Sequence, residues 1–223
     1  MKIVVKKLIK SLLNEHINNP KKRRVLHESE LNGKTIINVD IQPEYQNGFT
    51  FNVNEWVNFI NESNDNNRII FLFNGEDTLG MINLYDYQMW LMELGIDEDI
   101  VMSAKFYDKG YAFFRYCIDS HIEEEKIVEI VKYMYKNNIN DSRDITPETW
   151  EEILYQTDGS LDDVRELLED NGDMINIPDL MDFLKHFDNI VLTGGGVDEC
   201  LKEVEIALLA MDKPFNTLHQ FTY

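Results

Sequence analysis

Cysteine is scarce: Cys117 and Cys200 are the two in 223 residues. Two distant thiols cannot build the disulfide framework of a small secreted domain, so the sequence reads as a protein of a reducing, cytoplasmic compartment. Long apolar runs are also missing. No uninterrupted stretch is long enough to span a bilayer. Lys6, Lys7 and Lys10 break up the first apolar residues, which argues against a secretory signal. Glycine and proline are few, at 11 and 5, and 43% of the chain is hydrophobic. That excludes a fibre or a disordered polymer and leaves material for a substantial core. The length suits one to one-and-a-half domains.

Positive charge is the remaining shortage. The 21 Lys and Arg face 41 Asp and Glu, for a net charge of −20. Eight of the basic residues fall within residues 1–24 against one acid, Glu15, so this tail is +7 and the remainder is −27. So acidic a body repels nucleic acid and anionic membrane, and neither is expected as a partner. The tail carries Ile3, Leu8, Ile9, Leu12 and Leu13 at helical spacing. It is expected to form a basic helix and linker over residues 1–31 and to dock an acidic partner.

Residues 32–223 are expected to form one α/β domain. "TIINVDI" (35–41) and "RIIFLF" (68–73) read as buried strands, and "IVMSAKFY" (100–107) as a third. Helices are predicted at 53–63 and at 83–95, the latter ended by Gly95. Strands apolar on both faces that alternate with helices predict a three-layer, mostly parallel Rossmann-like sheet with helices on both faces. A helical insertion is predicted at about 121–170. "NIVLT" (189–193) and "FNTLHQFTY" (215–223) read as the last strands, with the sheet edge expected to stop short there. Ligands bind beyond the carboxyl ends of such strands, so the residues that follow each strand are the ones to inspect.

The segment "VLTGGGVDECLKEVEIALLA" (191–210) places three glycines between a strand and an amphipathic helix. It lacks the Lys-Ser/Thr of a P-loop and the spacing of a dinucleotide fingerprint. Glycines allow a sharp turn and close approach of a ligand to the backbone. Cys200 then opens the helix, where free N–H groups and the helix dipole favour a thiolate. A thiol nucleophile needs a base and a positive charge. Asp40, an acid at the end of an apolar strand, supplies the first. Lys109 in "DKGYAFF" supplies the second, with Lys105 as the alternative.

Asp, Lys and Cys in this order on successive strand ends resemble the isochorismatase-like cysteine hydrolases. "INVDIQPEY" (37–45) is similar to their first-strand motif, "DKGYAFF" (108–114) to their lysine motif, and "GGGVDEC" to their cysteine turn. The resemblance implies an Asp40–Lys109–Cys200 triad that hydrolyses a small amide or related carbonyl compound. It implies an oxyanion hole built on Gly195, Gly196, Val197 and Glu199, next to a non-proline cis peptide. Gln42, Tyr111, Phe114 and Arg143 are the expected substrate contacts. Val197 stands where the family usually has threonine. Asp119 and His121 have the spacing of the nicotinamidase metal ligands, but there is no second histidine nearby, so neither a metal nor another cofactor is expected. A small-molecule substrate is the expected partner, with self-association into a homo-oligomer left open. Two other readings remain. One is a metal-dependent nuclease of the PIN or NYN type, with Asp40, Glu76, Asp77, Asp141, Asp144 and Asp198 around magnesium. The other is a catalytically inactive assembly protein on the same scaffold.

Overall fold

The computed structural model describes residues 32–63, 66–75, 80–109, 123–140, 144–146, 148–149, 151 and 179–223. The basic tail and most of the predicted insertion lie outside these residues. Five strands form one all-parallel sheet: β1 (Thr35–Val39), β2 (Arg68–Phe73), β3 (Lys105–Asp108), β4 (Ile190–Gly194) and β5 (Phe215–Thr217). Their spatial order is β3-β2-β1-β4-β5. The central strand β1 is buried along its whole length, which explains why it reads as a largely apolar run with two polar residues, Thr35 at its start and, inside it, Asn38. Both polar atoms of the Asn38 side chain are hydrogen-bonded. Its Nδ2 donates to the Ile70 carbonyl at 3.1 Å, and its Oδ1 accepts from Trp56 Nε1 and Thr193 Oγ1 at 3.1 and 2.9 Å.

Helices cover both faces. Those of the first half are α1 (Val53–Ser63), α2 (Leu84–Leu94) and α3 (Glu98–Ser103). They pack Trp56, Ile60, Tyr87, Leu91 and Ile100 against Ile36 and Phe71 on one side. Those of the second half are α4 (Glu124–Lys136), α5 (Asp179–Leu184) and α6 (Cys200–Ala210). They pack Ile127, Val131, Leu184, Val204 and Leu208 against Ile37, Val39 and Leu192 on the other side. Alternation of side chains along each strand is what sends Ile36 and Ile37 to opposite cores. The chain therefore changes faces between β1 and β4. That seam is the topological switch point, where open α/β sheets leave a crevice at the carboxyl ends of their strands.

Two expectations need correction. The segment 100–107 is not one strand. Glu98 and Asp99 favour a helix start after Asp97, because acids complement the positive end of the helix dipole, and Ile100 and Val101 are buried on a helix. The strand begins only at Lys105. Residues 124–136, in the first part of the predicted helical insertion, form the helix α4, which packs on α6 as part of the main helical layer. The last strand covers only Phe215–Thr217; a 3-10 turn at His219–Phe221 then brings the chain back over the sheet end.

Candidate functional site

Asp40 follows β1 directly and its backbone is left-handed, with φ of 46°. Aspartate tolerates that conformation better than most side chains, yet it is a strained choice. Three bonds hold it. The Asp40 N–H donates to the Leu72 carbonyl at 2.9 Å. Tyr223 Oη donates to the Asp40 carbonyl at 2.9 Å, and Tyr87 Oη donates to the Ile41 carbonyl at 2.8 Å. Burial, followed by the charge of Asp40, raises both tyrosines above their ordinary value of 10.0, so they remain donors.

Lys109 sits one residue beyond β3, where its N–H extends the sheet register by donating to the Phe73 carbonyl at 2.9 Å. Its side chain is fully buried, with Nζ 3.0 Å from Asp40 Oδ2 and 3.2 Å from Glu203 Oε2. Burial alone would lower the ammonium's pKa. The carboxylates of Asp40 and then Glu203 override it and hold Lys109 above its ordinary 10.5. Lys105 is the first residue of β3, about 13 Å away at the opposite sheet edge by strand rise, and it lies over the Phe187 ring at 5.5 Å. Strand direction thus separates the two lysines.

Cys200 is the first residue of α6 and is 5% exposed. The turn that delivers it depends on two glycines. Gly194 and Gly195 have φ of 76° and 68°. A Cβ on Gly194 would collide with the Val39 carbonyl, and one on Gly195 would lie 2.8 Å from Leu201 N. Both chain segments of the seam can then close together. The thiol is near enough to Asp40, Lys109 and Glu203 to respond to all three. Burial, then Asp40, raises it above its ordinary 9.0, against the opposing pull of Lys109. The resting group is therefore a neutral thiol, and the expectation of a thiolate stabilised by the helix end is corrected. Desolvation and a carboxylate neighbour outweigh the dipole of a helix N-terminus.

The Asp40–Lys109 contact is ionic. Neither buried oxygen of Asp40 receives a well-directed hydrogen bond from a described residue. The carboxylate therefore keeps lone pairs with which to accept a proton. Glu203, not anticipated from the sequence, is a second fully buried acid. It lies three residues after Cys200, on the same face of α6 by helical spacing. The signal was present: an acid among Leu201, Val204 and Ala207 on a buried stripe needs a cationic partner.

The backbone donors of the turn are partly engaged. Val197 N–H donates to the Tyr223 carbonyl at 2.9 Å and Glu199 N–H to the Gly196 carbonyl at 3.0 Å. Gly195 accepts from Tyr223 N–H at 3.1 Å. The N–H groups of Gly196, Asp198 and Cys200 make no backbone bond to a described residue. Among the described residues no peptide bond is cis, which corrects the expectation of one beside this turn. Gln42 is fully buried and its amide clamps the ends of β1 and β2: Oε1 accepts from Asn74 N–H at 2.7 Å and Nε2 donates to the Asn74 carbonyl at 3.1 Å. Tyr111, Phe114, Arg143, Asp119 and His121 lie outside the described residues, as do Glu76, Asp77 and Asp141 of the nuclease reading. Among the described residues no three His, Cys, Asp or Glu side chains group so as to hold a metal ion. Lys109 occupies the point between Asp40 and Glu203 that a cation would take. No helix among them is long and apolar enough to cross a membrane. No protein-family model, curated protein or solved structure matches the chain.

Proposed function

We propose that this protein is a cysteine hydrolase of the isochorismatase-like type, acting on a small amide or related carbonyl compound. One observation carries the reading: a buried acid, a buried lysine and a cysteine from three strand ends meet at the switch point of a parallel sheet. The resemblance of the three sequence motifs supports the same assignment.

Each residue then has a chemical task. Asp40 accepts the thiol proton as the Cys200 sulfur attacks the carbonyl carbon. A sulfur–carbon bond forms, and the carbonyl π pair moves onto oxygen. Free N–H groups of the turn, at Gly196, Asp198 and Cys200, are the donors available to that oxygen. Lys109 holds Asp40 in place and offsets the negative charge of the intermediate. Collapse breaks the carbon–nitrogen bond, and protonated Asp40 delivers its proton to the departing amine. Water then attacks the thioester, giving a proton to Asp40. The sulfur–carbon bond breaks, the sulfur recovers that proton, and the net reaction is amide plus water to acid plus amine. A neutral resting thiol suits this scheme, because proton removal coincides with attack.

The test is intact-mass detection of an acyl adduct on Cys200, together with turnover of a panel of small amides and activated esters. Adduct and turnover should both vanish in Cys200→Ala. Turnover that survives this substitution would sink the proposal.

A further inference from the structure

After β5, residues 218–223 cross the seam between β1 and β4. Leu218 N–H donates to the Leu192 carbonyl at 2.9 Å, which continues the pairing of β5 with β4 by one bond. Phe221 then anchors the 3-10 turn, with ring centroids 6.2 Å from Phe51 and 5.1 Å from Phe59. This brings Tyr223 over the ends of both strands. Its hydroxyl donates to the Asp40 carbonyl at 2.9 Å. Its N–H donates to the Gly195 carbonyl at 3.1 Å, and its carbonyl accepts from Val197 N–H at 2.9 Å. One residue thus grips the left-handed backbone of the acid and the turn that delivers the thiol. Its ring is packed as well, 5.0 Å from Phe49 and 6.5 Å from Phe51 between centroids. Burial, then Asp40, then Cys200 raise its phenol above 10.0, so the hydroxyl lies beside the acid and the thiol and keeps its proton.

We infer that Tyr223 is a positioning residue, which sets the Asp40 carboxylate against the Cys200 sulfur by tying the end of β1 to the turn after β4. The inference rests on the hydrolase reading, which makes proton transfer from Cys200 to Asp40 the step that this tie serves. Asp40 holds a strained φ of 46°, and such a conformation persists only where its surroundings enforce it. The hydroxyl bond is one of the restraints on that backbone. Without it the acid spends less of its time in register with the sulfur. A net hydrogen bond of ordinary strength corresponds to a population change of roughly fivefold, and the rate of proton transfer should fall in proportion.

The test is the rate at which iodoacetamide alkylates Cys200 in the full chain at neutral pH. A sulfur–carbon bond forms, iodide leaves and the thiol proton passes to Asp40. Peptide mapping separates Cys200 from Cys117. Tyr223→Phe keeps the ring and the backbone bonds and removes only the hydroxyl. It should slow alkylation roughly fivefold. In an Asp40→Asn background the same substitution should change the rate by less than about twofold, because no base is left to place. A purely structural role gives a different pattern. Thr50→Val removes another bond to the same segment, from Thr50 Oγ1 to the Thr222 carbonyl at 3.2 Å, without touching Asp40. It should lower the thermal midpoint much as Tyr223→Phe does, yet leave alkylation within about twofold of wild type. If Asp40→Asn does not fold, the contrast between Tyr223→Phe and Thr50→Val decides. An unchanged rate in Tyr223→Phe would overturn the inference. So would equal slowing with and without Asp40, or equal slowing in Thr50→Val; each of these leaves the hydrolase reading standing. Failure of the reagent to modify Cys200 in the folded wild-type protein would remove the hydrolase reading and the inference with it.

Discussion

Replacing Lys109 by methionine keeps the length of the side chain and removes its charge. Asp40 and Glu203 would then face each other without the ammonium that bridges them. The two contacts, 3.0 and 3.2 Å, put their nearer oxygens at most about 6.2 Å apart. At an effective dielectric of about 20, two unit charges at that distance repel by roughly 3 kcal/mol. Removing one partner of a buried ion pair costs about 3–5 kcal/mol, a large share of the roughly 5–15 kcal/mol that holds a domain folded. Urea unfolding followed by circular dichroism reads this as a lower midpoint at an unchanged slope. The loss should depend on pH. The folded variant relieves the repulsion by keeping a proton on the carboxylate pair, one the unfolded chain has released by neutral pH. Its folded state then binds more protons than its unfolded state, so stability falls as pH rises. The deficit at about pH 8 should therefore exceed that at about pH 5. Adding Glu203→Gln to Lys109→Met should restore at least about 1 kcal/mol, the coupling expected of groups in one network. A Lys109→Met midpoint equal to wild type at alkaline pH would refute the idea that this lysine neutralises a buried acid pair.

Four further outcomes are expected. Gly194→Ala should destabilise by about 2 kcal/mol or more, because it combines a positive φ with a collision against the Val39 carbonyl. Gly196→Ala, whose Cβ would meet the Glu199 side chain at 3.3 Å and beyond, should stay within about 1 kcal/mol of wild type in the same unfolding assay. Alkaline titration should lower stability in steps. Cys200 is raised when folded, so its contribution is complete below 9.0 and is lost as pH climbs towards the folded value; Tyr223 and Lys109 follow from 10.0 and 10.5. Each group adds a slope of about 1.4 kcal/mol per pH unit, and Cys200→Ser should remove the first of them. Tyr223→Phe should cost about 1 kcal/mol through loss of the bond to the Asp40 carbonyl, read as a lower thermal midpoint.

Strands β1, β2 and β4 were legible because both of their faces are buried, so "TIINV", "RIIFLF" and "IVLTG" appear as apolar runs bounded by polar residues. The seat of Asp40 followed from that, since an acid at the end of such a run has few structural excuses. The boundary between α3 and β3 was not legible. Ile100 and Val101 suit a strand or a buried helix equally, and only the acids before them favour the helix. That error carried over to the lysine. With β3 starting at Lys105, strand direction alone makes Lys109 the residue at the site edge. Glu203 was missed because an acid in an amphipathic helix is usually solvated. Its burial depends on a lysine 94 residues earlier, a pairing no local pattern encodes.

The seam between β1 and β4 also bears on how the molecule is made. Thr35 pairs with Ile190, so the central strand of the sheet waits for a neighbour 155 residues downstream. At ribosomal rates of about 5–20 residues per second, that wait is roughly 8–30 s. During it β1 can pair with β2 and β3 on one edge while its other edge, apolar and unsatisfied, stays open to other strands. Parallel pairing over such a separation is slow to form and prone to intermolecular association. The chain is thus expected to need protection until β4 emerges, and slower translation of the second half should lower its soluble yield.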